Sequence, residues 1–461
     1  MSFSLLALCG RDHDRLRNHL LPADGLEAAA ILLCTISGGA RPGLFVRSII
    51  LVPYLECGVR ERDALVWPGQ KLAEAQAQAE DEGLAMILIH SHPGGMFQFS
   101  HIDDASDLRV LAAARDGWCG SHPATLGSAI MVPDGSIRAR TFEEDGRFVA
   151  VEEVRVAGDE IKHISPNQSL SRQPMAFGDG MGTELRHRRA CVVGVSGTGS
   201  IIAEQAARLG FGGLVLIDFD TVEDRNLNRI LNSTLQDAAL GSAKVDMFAR
   251  AVRAYRPDIE VVSVKESILS RGAVLAAAGC DVIFSCVDSS EGRQVADLVA
   301  QAFLIPLVDM GVTIFTRQLA DGGVAVADAV GRIDYVQPGA SSLLSRCVYT
   351  PDTLRAEYLA RVDPTAHAAE VAEGYIKGAP QEAPAVISLN MRAASEAMLE
   401  YLARSFPYRH EPASSFARSV FRLGDGDVER FGEASFPPDE LGLTGAAAQE
   451  PLLGMPGLCE P

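Results

Sequence analysis

Ala85-Met86-Ile87-Leu88-Ile89-His90-Ser91-His92-Pro93, with Ser100 and Asp103 close behind, is the stretch that decides the first half of the chain. Ala85–Ile89 is an unbroken apolar run and reads as a buried strand, on which side chains at i and i+2 share a face. His90 and His92 therefore present two imidazoles on one side of the strand end. The spacing H-x-H-x7-S-x2-D adds the Asp103 carboxylate and the Ser100 hydroxyl to the same place. Two histidines and an aspartate make three protein ligands, which leaves a fourth tetrahedral position for water and marks a catalytic rather than a closed structural zinc site. Zinc brings such a water to a pKa of about 7, so the pattern implies hydrolysis and calls for a general base. Glu27 opens the apolar segment Glu27-Ala28-Ala29-Ala30-Ile31-Leu32-Leu33-Cys34, the frame that a raised base pKa needs; Glu56 is the upstream alternative. A plainer reading stays open, in which the histidines close an ordinary strand and Ser100 and Asp103 begin a helix.

Composition bounds the rest. The 461 residues suit two or three domains, and 47% hydrophobic content suffices for sizeable cores. A formal charge of −19 argues against a nucleic-acid partner, which needs a basic face. The nine cysteines include no C-x-x-C pair, so neither a zinc ribbon nor a disulfide framework is indicated. Leu5-Leu6-Ala7-Leu8-Cys9 is too short for a signal peptide, and no run approaches membrane-spanning length. No membrane association and a cytoplasmic location are expected.

After the strand-like Ala129-Ile130-Met131-Val132, residues 157–173 are polar and irregular and read as a linker. A second α/β unit then opens with Ala190-Cys191-Val192-Val193. Its turn Gly194-Val195-Ser196-Gly197-Thr198-Gly199-Ser200 joins strand to helix as nucleotide-binding turns do. Asp218, closing Leu214-Val215-Leu216-Ile217-Asp218, suits a ribose hydroxyl and suggests NAD. Asp220, Asn226 and Arg229, in Asp218-Phe219-Asp220-Thr221-Val222-Glu223-Asp224-Arg225-Asn226-Leu227-Asn228-Arg229, and then Lys244 concentrate acids, amides and cations where a dehydrogenase needs none. That set fits magnesium and a triphosphate.

From about Pro22 to Asp107 the chain resembles the JAMM (MPN-type) metalloproteases, which remove ubiquitin or ubiquitin-like proteins. The resemblance implies Glu27 as base, His90, His92 and Asp103 as Zn2+ ligands, and Ser100 as an oxyanion donor. From about Arg172 to Arg404 it resembles the ThiF/MoeB and ubiquitin-activating-enzyme superfamily, which uses ATP and Mg2+ to adenylate the C-terminal carboxylate of a ubiquitin-like protein. This second resemblance implies Gly194, Gly197 and Gly199 against the nucleotide, Asp218 on the ribose, and Asn226, Arg229 and Lys244 on phosphates. Asp288 would stand by the magnesium and the reacting carboxylate, and Arg172 would reach into the neighbouring subunit's site in a homodimer. Cys347 matches the region where relatives carry a thioester cysteine, with Arg346 beside it favouring thiolate; an inert thiol is the alternative. Ser196 and Ser289 depart from the family pattern.

The expected fold is thus α/β: a JAMM-type domain over residues 1–156, the linker, a Rossmann-like ThiF-type domain over residues 174–410, and a C-terminal tail or small appendage over residues 411–461. The expected function is processing or removal of a ubiquitin-like protein together with adenylation of its C-terminal glycine carboxylate, with a conjugating enzyme as a further partner. A sulfur-carrier partner, a scaffold with one dead site, and an NAD-dependent oxidoreductase are the alternatives.

Overall fold

The computed structural model describes residues 3–38, 41–167, 174–320, 322–372 and 386–459. It divides into two compact units, the first made of Met1–Gln173, Gln301–Leu304 and Leu443–Cys459, the second of Pro174–Ala300 and Ile305–Gly442.

In chain order the first unit contains β1 (Leu5–Cys9), α1 (Gly10–Leu20), β2 (Ala29–Ser37), β3 (Gly43–Leu51), β4 (Val59–Arg60), β5 (Leu65–Val66), α2 (Gly69–Glu82) and β6 (Ala85–Ser91). It continues with α3 (His101–Asp116), β7 (Leu126–Met131), β8 (Ile137–Phe142), β9 (Phe148–Ala150), β10 (Glu153–Ala157) and β11 (Ile161–Ile164). Nine of these strands form one mixed sheet in the order β11-β10-β1-β3-β2-β6-β7-β8-β9, while β4 and β5 pair separately. Strands β2 and β6 lie at its middle, and both faces are covered. Ala30, Leu32, Ile87 and Ile89 pack with Leu16 and Leu20 of α1. Ile31, Leu33, Met86 and Leu88 pack with Ala75 and Ala79 of α2 and with Leu111 and Ala114 of α3. Burial on both faces is why these strands read as continuous apolar runs rather than as alternating ones.

The second unit holds α4 (Asp179–Leu185), β12 (Arg189–Val193), α5 (Gly197–Leu209), β13 (Gly213–Ile217), α6 (Leu235–Leu240), α7 (Lys244–Arg253), β14 (Glu260–Val264), α8 (Arg271–Ala278) and β15 (Val282–Ser285). There follow α9 (Ser290–Ala302), β16 (Leu307–Gln318), β17 (Val324–Val336), α10 (Pro351–Val362), α11 (Pro364–Ala372), α12 (Ile387–Ser405), β18 (Arg418–Arg422) and β19 (Val428–Phe431). The sheet order is β14-β13-β12-β15-β16-β17-β18-β19. The first five strands run parallel and the rest antiparallel. Strand order therefore reverses between β12 and β15, and in such sheets ligands bind outside the carboxyl ends of the strands at that crevice.

Two expectations about connections change. The segment read as linker contains β11, which pairs with β10 from Ile161 to Ile164; its lysine and histidine hid a strand with two buried isoleucines. The segment read as a tail supplies β18 and β19 to the second sheet, while Leu443–Cys459 belongs to the first unit. No helix among the described residues is long and apolar enough to cross a membrane.

Candidate functional site

Register builds the first site. Ala29 of β2 pairs with His90 of β6, and beyond the strand the Ser91 amide donates to Ala28 O at 3.0 Å while the Ala28 amide donates to Ser91 Oγ at 3.0 Å. Continuing that register sets Glu27 opposite His92, on the same face. Asp103 arrives from the first turn of α3, whose N-cap is Ser100. The Ser100 amide donates to Asp103 Oδ2 at 2.6 Å and the Asp103 amide donates to Ser100 Oγ at 3.1 Å. This reciprocal cap satisfies two helix-end amides. Arg140 of β8 holds this end of α3 in place through Asp104 at 2.5 Å and Asp107 at 2.8 Å and by lying over the Phe99 ring at 3.7 Å.

Three side chains converge as a result. His90 Nε2 and His92 Nε2 are 3.1 Å apart, His90 Nε2 lies 3.3 Å from Asp103 Oδ1, and His92 Nε2 lies 3.4 Å from Asp103 Oδ2. Ligands about 2.0–2.2 Å from a tetrahedral zinc stand about 3.3–3.6 Å from one another, and the separations here come within a few tenths of an ångström of that, so the donor set could hold that ion. His92 Nδ1 donates to the Met96 carbonyl at 2.8 Å, which leaves Nε2 available to a metal and is the kind of outer contact that ligating histidines make. Ser100 and Asp103 do begin a helix, as the plainer reading has it, and the cap takes one lone pair of Asp103 Oδ2 and leaves the other carboxylate lone pairs available to a ligand.

Electrostatics agree with a charged cluster. Burial pushes the Glu27 carboxyl upward against the opposing pull of His90 and His92; the residue is 9% exposed. Burial alone would lower His92, but the Asp103 carboxylate and the Met96 carbonyl outweigh it and raise it. Burial would raise Asp103, but the two histidines hold its carboxyl well below the usual range. A cation within the triangle competes with these protons. Glu56, the alternative base, is exposed on a short 3-10 turn.

The second constellation gathers at the strand-order reversal. Gly194 has φ +86°, and a Cβ on Gly199 would stand 1.8 Å from the Gly194 carbonyl, so both glycines are required by the turn. A Cβ on Gly194 would meet Cys286 O at 3.0 Å and Val287 at 3.2 Å, which seats the turn against the loop that carries Asp288. Asp218 Oδ2 accepts from the Val195 amide at 2.7 Å and its Oδ1 from the Asp220 amide at 2.9 Å, so the expected ribose ligand also ties β13 to the turn. Burial raises its carboxyl, with Lys244 opposing. Lys244 Nζ donates to Asp220 at 2.7 Å, and Asn226 Oδ1 accepts from the Glu223 amide at 3.2 Å. Arg229 reaches the turn, its Cδ 3.6 Å from a Cβ placed on Gly197. Asn390 of α12 comes closer still, with Nδ2 at 2.4 Å from that point. No spacing in the sequence announces Asn390, since the fold alone delivers it.

The remaining expectations fare differently. Asp288 is exposed at the start of α9. Cys347 is exposed on the segment between β17 and α10 with φ +55°. Arg346 is not a thiolate-stabilising neighbour: its buried guanidinium donates to Asp334 at 3.1 Å, Glu433 at 2.9 Å and Ser341 Oγ at 2.8 Å, where its charge is already neutralised. Arg172 lies outside the described residues.

Residues 11–143 match the family of prokaryotic homologs of the JAB domain, and residues 170–333 match the ThiF family. The chain is a fusion of a JAB-type and a ThiF-type domain. Among curated proteins it is similar to the ubiquitin-like modifier-activating enzyme 5 of Bombyx mori, 28% identical over 171 residues that are 34% of this chain and 39% of that protein. The Drosophila melanogaster protein of the same name is 27% identical over 167 residues, 34% of this chain and 38% of that protein. The chain thus spans roughly two-fifths of the length of these relatives. Among solved structures, E. coli MccB with ATP has a TM-score of 0.40 at 16% identity, covering 55% of this chain and 66% of that one.

Proposed function

We propose that the chain is a zinc-dependent peptidase fused to an ATP-dependent adenylating enzyme, both acting on the carboxyl-terminal end of a ubiquitin-like protein. The observation that carries the peptidase half is the mutual spacing of His90, His92 and Asp103, three donors 3.1–3.4 Å apart. Zinc, when bound, supplies an acidified water and a Lewis acid for the scissile carbonyl. Glu27 takes the proton of the attacking water and returns it to the leaving amine. Ser100, whose oxygen accepts from the Asp103 amide, keeps its own O–H free to donate to the developing oxyanion.

The adenylating half rests on the glycine turn, Asp218, Arg229, Lys244 and Asp288 at the carboxyl ends of the parallel strands. A substrate carboxylate oxygen attacks the α-phosphorus of ATP, the bond to the β-phosphate oxygen breaks, and pyrophosphate leaves with acyl-AMP behind. Both reactants are anions, so Arg229 and Lys244 offset their repulsion, and Asp288 would hold the magnesium that travels with ATP. Similarity to the modifier-activating enzymes supports this half. Attack by the Cys347 thiolate on the acyl carbonyl, with AMP leaving, would extend the sequence to a thioester.

Two measurements test the reading. The purified chain should carry one zinc per first unit, lost on His90→Ala. It should also catalyse ATP–pyrophosphate exchange that depends on a Gly-Gly-terminated partner and is abolished by Asp288→Ala. Absence of metal under replete conditions would leave the first unit as a binding module, and absence of exchange would remove the adenylation reading. For the homodimer, mixing Arg172→Ala with Asp288→Ala subunits should restore one working site per heterodimer. No recovery despite subunit exchange would mean that the arginine does not act across subunits.

A further inference from the structure

Glu27 stands outside regular structure, between the exposed residues 23–25 and the start of β2 at Ala29. The charges of His90, His92 and Asp103 act on its carboxylate, which accepts no hydrogen bond from any described residue. The direction of this side chain therefore rests on how the backbone around it is held. On the β6 side the Ala28 amide donates to Ser91 Oγ. On the other side the Glu27 amide donates to Glu61 O at 2.8 Å, in the turn of the β4–β5 hairpin. Arg60, the residue before Glu61, closes the same loop with its side chain: Nη1 donates to Asp24 Oδ2 at 2.7 Å and Nη2 to Asp24 Oδ1 at 3.1 Å. Asp24 Oδ1 also accepts from the Leu26 amide at 3.0 Å. The guanidinium lies over the Tyr54 ring, 4.1 Å from its centroid. Tyr54 in turn donates its hydroxyl to His19 O at 2.6 Å and stacks on the His19 imidazole, whose Nε2 donates to Ala29 O at 3.0 Å. Asp24 and Ala29, on either side of Glu27, are thus both tied through side chains to one guanidinium.

As a contribution to stability this clamp is small, because Asp24 is about half exposed and exposed ion pairs are worth little. As a contribution to direction it is large. Two parallel bonds from a guanidinium to a carboxylate, with an aromatic ring behind the guanidinium, restrict the pair to a narrow geometry. A general base must come within about 2.6–3.2 Å of the group whose proton it takes, and a displacement of about 1 Å can cost about 100-fold in rate.

We propose that Arg60 is a positioning residue for the peptidase reaction, aiming the Glu27 carboxylate through Asp24 and the β4–β5 hairpin. The inference deepens the peptidase reading and rests on it for the role of Glu27. The hydrogen bonds and ring contact of Arg60 involve none of His90, His92 and Asp103, so its loss should spare the metal and slow the chemical step. An interaction that serves only the transition state lowers kcat and kcat/KM together and leaves KM alone.

The test is Arg60→Ala in the full chain, beside Arg147→Ala as a control, because Arg147 forms an exposed ion pair with Asp145 in the same unit. On a fluorogenic peptide with Gly-Gly before the scissile bond, kcat of Arg60→Ala should fall by about 10- to 100-fold, with KM and zinc content as in wild type. Hydrogen exchange at the Glu27 amide should accelerate by about tenfold or more. Arg60→Lys, which keeps the charge but not the two parallel bonds, should recover only part of the rate, and the control should match wild type throughout. Added to Glu27→Gln, whose base is already gone, Arg60→Ala should cost nothing further. A kcat within twofold of wild type overturns the proposal. Loss of zinc in Arg60→Ala also overturns it, making Arg60 a general support of the unit. An equal fractional loss on the Glu27→Gln background overturns it as well, since Arg60 would then act through another group. Wild-type chain that holds zinc but cleaves no peptide overturns the peptidase reading, while exchange at the Glu27 amide still decides whether Arg60 holds the loop.

Discussion

Glu27, His90 and His92 owe their meeting to one register, and Asp103 joins them from the capped start of α3. Glu27, buried and outside the donor cluster of His90, His92 and Asp103, is the proposed base and not a proposed ligand. Glu27→Gln should therefore retain zinc by metal analysis while peptidase rate falls by about 10²–10⁴-fold; activity within a few fold of wild type would pass the role to another group. Glu56→Gln, at an exposed position, should change little. Cys347 poses the opposite problem, since its neighbour Arg346 is engaged elsewhere. Cys347→Ala should leave ATP–pyrophosphate exchange near wild type and abolish any reducible covalent adduct with the partner. An adduct that survives the substitution, or a wild type that never forms one, means that the acyl-AMP goes directly to another nucleophile.

The Cys347 segment is nonetheless built as a defined element. Asp297 of α9 is fully buried, and its Oδ2 accepts from the Leu344 amide at 3.3 Å and from the Tyr349 hydroxyl at 3.0 Å, while Oδ1 meets no donor among the described residues. Burial pushes this carboxyl up to about 7 despite those bonds. The sign follows from proton counting: between the unfolded pKa of about 4 and the folded value the native state binds the extra proton, so this group's contribution to stability falls as pH rises through that window and is level above it. Asp297→Asn removes the titration. Its denaturant midpoint relative to wild type should rise from about pH 4 to 7 and then stay constant; a difference independent of pH would mean that the carboxyl titrates normally. What the sequence disclosed and what it hid divide on the same physical lines. Strands β6, β12, β13 and β15 are buried apolar runs ending in chemistry-bearing residues, so the run and the motif are read together. Strand β19 is exposed along its length and β11 carries two polar residues, so neither has a pattern to detect. Arg60 and Asn390 reach their partners only through tertiary structure, and no local spacing encodes that.

At the scale of the whole chain, the last described segment belongs to the first unit, though in sequence it follows the second. Leu443–Cys459 clusters with Met1–Gln173; Thr35 Oγ1 donates to Gly445 O at 2.6 Å and Arg47 to Thr444 O at 2.7 Å. Leu452, Leu453 and Leu458 are buried. Gly445 has φ +71°, and a Cβ there would stand 2.3 Å from the Val46 carbonyl in β3, so only glycine lets the segment lie against the strand. Three buried leucines contribute about 1.5–3 kcal/mol each as an upper bound, comparable to the whole stability of an ordinary domain. The first unit therefore includes residues that follow the ThiF-type region in sequence, and its stability should depend on them. A chain ending at Gly442 should lose much of the first unit's stability, seen as faster hydrogen exchange through β2 and β3 and as earlier zinc release on heating. The second unit's ATP–pyrophosphate exchange should persist. Gly445→Val should reproduce the effect in the full-length chain, since both the steric clash and the left-handed backbone oppose it. If β2 and β3 exchange at wild-type rates in both variants, the segment is a passenger on the first unit and not part of its fold.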